Sequence, residues 1–197
     1  MSKLSGKKVA ILAAHGFERS ELEKPLEALI AEGAEVEVVS LEAGKIRGWS
    51  KKDWSGSVKV DKTLADVTAD EYDALVLPGG VMNPDTLRGD RAAVEFVTAI
   101  FASGKPTCAI CHGAWTLIET GLLEGRAMTS YKTLKSDLQN AGAYWVDREV
   151  VIDHGLVTSR SPDDLPAFTK AMIEEIAEGR HALRDEHGAF DAPASPS

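Results

Sequence analysis

Lys105-Pro106-Thr107-Cys108-Ala109-Ile110-Cys111-His112-Gly113-Ala114-Trp115 reads as a strand that turns sharply into a helix. Thr107–Ile110 is a short apolar run, the pattern of a buried strand. Residues 112–120 have helical character and Gly121 stops them. Cys111 occupies the corner. A thiol there is held out of the packed core and close to the positive end of a helix dipole, which favours thiolate. The turn has the shape of a nucleophile elbow with Cys in place of Ser. Cys108 and Cys111 make a C-x-x-C pair, but thioredoxin-like motifs put the first Cys at the helix start, and here the second is there. Across an extended Thr107–Ile110 the two Cα atoms lie roughly 10 Å apart, beyond the ~7 Å a disulfide spans. Cys108 is therefore read as a small core residue.

The same alternation extends outward in both directions. Residues 8–13 (KVAILA) are a continuous apolar run suited to a central parallel strand. Residues 20–32 carry Leu22, Leu26, Leu29 and Ile30 at helical spacing, with Gly33 at the end and Pro25 expected within the first turn or so. Residues 35–41 (EVEVVSL) form a second strand, and 46–62 read as a hairpin or excursion. Ala74–Leu77 is a third core strand closed by Pro78-Gly79-Gly80. Helices follow over 91–103 and 132–140, and short strands over 144–146, 150–152 and Leu156–Ser159. Ser161-Pro162-Asp163-Asp164 has the form of an N-cap, a proline at the first helical position and an acid at the third, starting a helix that reaches Glu178. Strands alternating with helices predict an α/β domain over residues 1–178, with a mostly parallel sheet and helices on both faces. Residues 179–197 are polar, end in Ala-Pro-Ala-Ser-Pro-Ser, and are expected to form a flexible tail.

Composition narrows the function. The chain has 197 residues, 44% hydrophobic and 27% charged, with a formal net charge of −9. One domain is the default at this length. The acidic balance argues against nucleic acid as the main partner. No apolar run approaches the ~20 residues that cross a bilayer, and the first residues lack the apolar core of a signal peptide. With two cysteines only, a cytoplasmic setting is expected.

In a parallel sheet the loops after neighbouring strands gather at one carboxyl edge. That places Glu18, in Ala14-His15-Gly16-Phe17-Glu18, within reach of Cys111. A protonated Glu18 would donate to the sulfur and stabilise thiolate; an ionised one would raise the thiol pKa. Gly79 and Gly80 reach the same edge, and the backbone N–H groups of Gly80 and His112 form a candidate oxyanion hole. His112 can meet Cys111 only through a strained turn, because adjacent helical residues do not face each other. The Gly pair lacks the Gly-Lys-Ser/Thr of a phosphate loop. His15 and His154 near strand ends show no characteristic ligand spacing. Neither a cofactor nor a metal is expected. Arg160 is read as a loop anchor and Trp115 as packing.

Six segments in order carry a resemblance: Ala14–Glu18, Asp73–Gly80, Ala109–Gly113, Thr129-Ser130-Tyr131, Gly142–Asp147 and Thr158–Leu165. Together they resemble the ThiJ/PfpI family over residues 8–176, in the PfpI-like branch with His directly after Cys. The resemblance implies a flavodoxin-like three-layer sandwich related to class I glutamine amidotransferase domains. It implies Cys111 as nucleophile, a glutamate hydrogen-bonded to it (matched to Glu18), and a Cys111–His112 pair. It also implies an acid from a neighbouring subunit orienting the imidazole. The matching residue is Asp85, where the compared proteins often carry Glu, and Asp is one methylene shorter. A homo-oligomer follows, a dimer or a trimer of dimers. Three functions are compatible. The first is a cysteine-dependent stress-response enzyme of the glutathione-independent glyoxalase or deglycase type, acting on reactive carbonyls. The second is an intracellular peptidase acting on peptides, and the third a non-enzymatic redox sensor or chaperone using oxidation of Cys111.

Overall fold

Apolar strands flanked by Gly and Pro assemble the centre of the molecule, seen in a computed structural model that describes residues 2–182. In chain order the elements are β1 (Lys8–Leu12), β2 (Phe17–Glu18), α1 (Arg19–Ala31), β3 (Glu35–Ser40), β4 (Lys45–Ser50), β5 (Asp53–Lys59), β6 (Lys62–Thr63) and β7 (Ala74–Leu77). Then come α2 (Met82–Arg88), α3 (Arg91–Ala102), β8 (Thr107–Ile110), α4 (Trp115–Ile118), β9 (Ala127–Met128), α5 (Lys135–Asn140), β10 (Tyr144–Trp145), β11 (Val150–Asp153), β12 (Leu156–Ser159) and α6 (Leu165–Glu178).

A seven-stranded sheet runs in the order β11-β12-β8-β7-β1-β3-β6. Its pairings are parallel except β11 with β12. Both faces are covered, so β7, β8 and β12 are buried along their whole length rather than at alternate positions. Leu75, Leu77 and Ala109 pack with Phe96, Val97 and Ile100 of α3 and Leu117 of α4 on one side. Val9, Ile11, Val76, Cys108 and Ile110 pack with Leu22 and Leu29 of α1 and Phe168, Met172 and Ile176 of α6 on the other. This is the expected three-layer α/β sandwich. Among the described residues no helix is long and apolar enough to cross a membrane.

The excursion at 46–62 is the β4–β5 hairpin, which joins β2 in a small separate sheet. Some local expectations need correction. Pro25 lies beyond the first turn, inside α1, where it deprives the Glu21 carbonyl of an intrahelical donor. Ser161 stands at the cap position without a side-chain cap bond. Asp164 closes that loop instead, accepting from the Arg160 backbone and guanidinium at 2.9–3.0 Å. The segment after Cys111 is a 3-10 turn over Cys111–Ala114 and then the short α4. Of the expected tail, 183–197 lies outside the described residues, while His181 packs back on the body, its N–H donating to the Gly104 carbonyl at 2.9 Å.

Candidate active site

β8 ends at Ile110, and the next residue turns with a φ of +60°. A non-glycine residue pays about 1–2 kcal/mol for that left-handed conformation. It is retained because the turn is packed from below: a Cβ at Gly113 would overlap the Leu77 and Pro78 carbonyls. The strain aims the Cys111 side chain away from the 3-10 turn and lets it meet its own neighbour. His112 Nδ1 lies 3.3 Å from Cys111 Sγ. The elbow and the Cys–His contact thus coexist as the strained-turn argument requires.

The carboxyl group beside Cys111 is Glu21, one helical turn beyond Glu18. Glu21 is fully buried. Its Oε2 accepts the Gly79 N–H at 2.8 Å, and its Oε1 is buried with no hydrogen-bond partner. Burial raises its pKa from 4.5 to about 8, the Gly79 N–H opposes the rise, and the nearby Glu18 side chain adds to it electrostatically. Glu21 is therefore largely a neutral acid at pH 7. A Cβ at Gly79 would overlap Glu21 Oε2 and Cys111 Cβ, so glycine there permits the two groups to meet.

Glu18 lies at the cavity into which Cys111 opens, but its Oε1 accepts from the Ser20 hydroxyl at 3.2 Å. Its backbone is held in β2, paired with Trp49 of β4, and its N–H donates to the Gly79 carbonyl at 3.2 Å. The assignment of Glu18 as the thiol's immediate neighbour is corrected to Glu21. The missed signal was an acid on the buried stripe of α1, in line with Pro25 and Leu29.

Cys111 is 7% exposed. Burial pushes the Cys111 pKa well above the ordinary thiol value, and a charge on Glu21 would push it further. The His112 and Gly80 backbone N–H groups pull it down but do not prevail. The helix-dipole expectation of a resting thiolate is therefore reversed, since the helix beyond the elbow is one turn long. Those two N–H groups flank the sulfur where the oxyanion hole was expected, whereas Gly79's is taken by Glu21.

Burial lowers the His112 pKa and so favours the neutral imidazole. It stacks on Tyr131 with centroids 4.7 Å apart, and Nε2 lies 3.5 Å from Thr133 Oγ1. Asp85 is exposed on α2, with no hydrogen bond to His112 among the described residues. The same helix brings a residue not singled out from sequence. Asn83 is fully buried; it accepts from the Ala14 N–H at 2.7 Å and donates to the Pro78 and Gly79 carbonyls at 2.9 and 3.1 Å. It ties the loop after β1 to the turn after β7. Cys108 is fully buried and unbridged, Arg160 is anchored to Asp147 and Asp164, and the Trp115 indole donates to Asp137.

Cys111 opens into a cavity of about 560 Å³ lined by Glu18, Trp49, Lys51, Met82, Tyr131 and Pro162, among others. A cysteine elbow at the carboxyl edge of a parallel sheet, with an imidazole and a buried acid against the sulfur, defines a class of α/β protein built around one thiol. The chain belongs to the DJ-1/PfpI family, whose model matches residues 7–175. It is 46% identical over 169 residues to protein/nucleic acid deglycase 2 of Escherichia coli (strain K12), covering 85% of this chain and 96% of that one. It is 45% identical over 168 residues to "Putative cysteine protease YraA" of Bacillus subtilis (strain 168), with the same shares covered. A two-domain protein from Anabaena variabilis, with DJ-1/ThiJ/PfpI-like and ferritin-like domains, has a similar structure, with a TM-score of 0.82 and 38% identity. That match covers 95% of this chain and 52% of the larger one, so the chain spans about half of it.

Proposed function

We propose that the protein is a cysteine-dependent enzyme of the deglycase or glyoxalase type, acting on α-oxoaldehydes such as methylglyoxal or on their adducts with amines. One observation carries this reading: Cys111 sulfur has a neutral imidazole nitrogen at 3.3 Å and a largely protonated carboxyl group beside it. The name of the Escherichia coli relative supports it.

The thiol proton passes to His112 Nδ1 as sulfur bonds to the aldehyde carbon, and the carbonyl oxygen takes up a proton to give a hemithioacetal. With an amine adduct the same attack expels the amine. Glu21, kept neutral, lets negative charge develop on sulfur without repulsion. Moving the C1 proton to C2 through an enediol gives a thioester of a 2-hydroxy acid. C1 is oxidised as C2 is reduced, so no external oxidant enters. Water then cleaves the C–S bond, releasing the acid and the thiol.

A peptidase reading uses the same Cys111–His112 pair, with the Gly80 and His112 N–H groups on the tetrahedral oxyanion, and the name of the Bacillus relative favours it. The 560 Å³ cavity, walled by aromatic side chains, suits a small carbonyl better than an extended chain. The test is lactate formation from methylglyoxal beside casein hydrolysis. Expected are lactate from the wild type and from Cys108→Ala, and none from Cys111→Ser. Casein cleavage without lactate would select the peptidase.

The proposal extends to assembly. Among the described residues no acid is hydrogen-bonded to His112, and Asp85 is exposed beside Val81 and Met82, apolar side chains 55% and 39% exposed. A second copy covering that face would bury apolar surface and could bring its Asp85 to His112.

A further inference from the structure

We propose that Glu175, Glu178 and His181 form a site for a divalent transition-metal ion, at the edge of the sheet opposite Cys111. Glu175 and Glu178 lie one turn apart at the end of α6. Gly179, with a φ of +90°, turns the chain back so that His181 returns over Glu175. The imidazole is held in place rather than free. Its residue's N–H donates to the Gly104 carbonyl at 2.9 Å, and the ring lies so close to Gly155 that a Cβ there would come 2.9 Å from Cδ2. Gly104 and Gly155 precede β8 and β12, so the cluster joins the helix to the amino ends of two core strands.

The donor atoms of all three residues lie within 4.8 Å of one another. Glu175 is only 7% exposed. Its Oε2 and His181 Nε2 face each other at 2.9 Å, yet both are buried and neither makes a hydrogen bond. Buried polar atoms are ordinarily hydrogen-bonded, and this ion pair brings the two atoms together without hydrogen-bond geometry. A cation seated between them would satisfy both at once. Donors around a tetrahedral zinc sit roughly 3.3 Å apart, from bonds of about 2.0–2.1 Å. Exposed Glu178 has the freedom to rotate inward and complete the set. One imidazole nitrogen with two carboxylates suits zinc or manganese; calcium needs six to eight oxygens. The ion would clamp the end of α6 to the loops before β8 and β12.

Zinc could also bind the thiol, so the experiment is calorimetric titration of Zn2+ into chelator-stripped full-length Cys111→Ser. One zinc per chain is expected, together with a higher Tm in its presence. Adding Glu178→Gln, a surface change that leaves the fold intact, should weaken binding at least roughly tenfold, and His181→Ala more. Co2+ bound to Cys111→Ser should give visible d–d absorption that His181→Ala removes. Absence of zinc binding in Cys111→Ser overturns the proposal, as does unchanged affinity in Cys111→Ser carrying Glu178→Gln.

Discussion

Glu21 is a carboxyl group that the fold keeps protonated, and this has a thermodynamic signature. Its pKa rises from 4.5 to about 8 on folding, so between those values the folded state holds a proton that the unfolded state releases. Stability from this group is full below pH 4.5 and is lost as pH rises through 8, with a slope of up to about 1.4 kcal/mol per pH unit. Urea unfolding of Glu21→Gln from pH 5 to 8 should lack that contribution and run flatter than the wild type. An identical slope would mean that Glu21 titrates normally. The choice between Glu18 and Glu21 was not legible from sequence position alone. Both enter the same segment, one turn apart, and either could approach the elbow. Pairing of Glu18 with Trp49 across a two-residue strand fixes it in extended backbone and gives the sulfur to Glu21. A short non-local pairing of that kind leaves no periodicity to read. Cys111 was legible because an apolar strand ending in Cys-His-Gly needs a sharp turn, and His112 because only such a turn brings neighbours together.

At the scale of elements, the site is held by loops that follow β1, β7 and β8, and Asn83 is the tie between two of them. Its three buried bonds reach the Ala14 N–H and the Pro78 carbonyl, and share the Gly79 carbonyl with the Glu18 N–H. Asn83→Ala should cost about 2–3 kcal/mol in urea unfolding, and should lower turnover because the Pro78-Gly79-Gly80 turn loses its register. Unchanged stability would show that water replaces the amide. The core strands were plain in the sequence, since β1, β7 and β8 are nearly continuous apolar runs. Helix α2 was not, because Asn83-Pro84-Asp85 looks like a turn, and its proline falls near the helix start, where it is tolerated. β9 was equally hard: it is two residues long and paired only with β10.

On the scale of the whole molecule, the alternation of strands and helices specified the three-layer sandwich and its carboxyl-edge site. What a single chain leaves open is the acid for His112. If Asp85 is supplied by another copy, two inactive variants should complement each other. Mixed oligomers of Cys111→Ser and Asp85→Ala chains would contain sites with an intact Cys111 on one chain and an intact Asp85 on its neighbour. Recovery of lactate formation after co-refolding is expected, against separately assembled controls. Full activity of Asp85→Ala alone would remove Asp85 from the mechanism.

In the proposed mechanism the reactivity of the Cys111 thiol depends on a neutral Glu21 and a neutral His112. The most direct test is the pH dependence of kcat/KM for lactate formation from methylglyoxal, compared among the wild type, Glu21→Gln and Glu18→Gln. The wild type should lose activity above about pH 8, where Glu21 ionises and opposes charge on sulfur. Its acid limb should lie below the ordinary histidine value of 6.5, because burial lowers the His112 pKa. The alkaline fall should persist in Glu18→Gln and vanish in Glu21→Gln. An alkaline fall that survives in Glu21→Gln but disappears in Glu18→Gln would contradict the account.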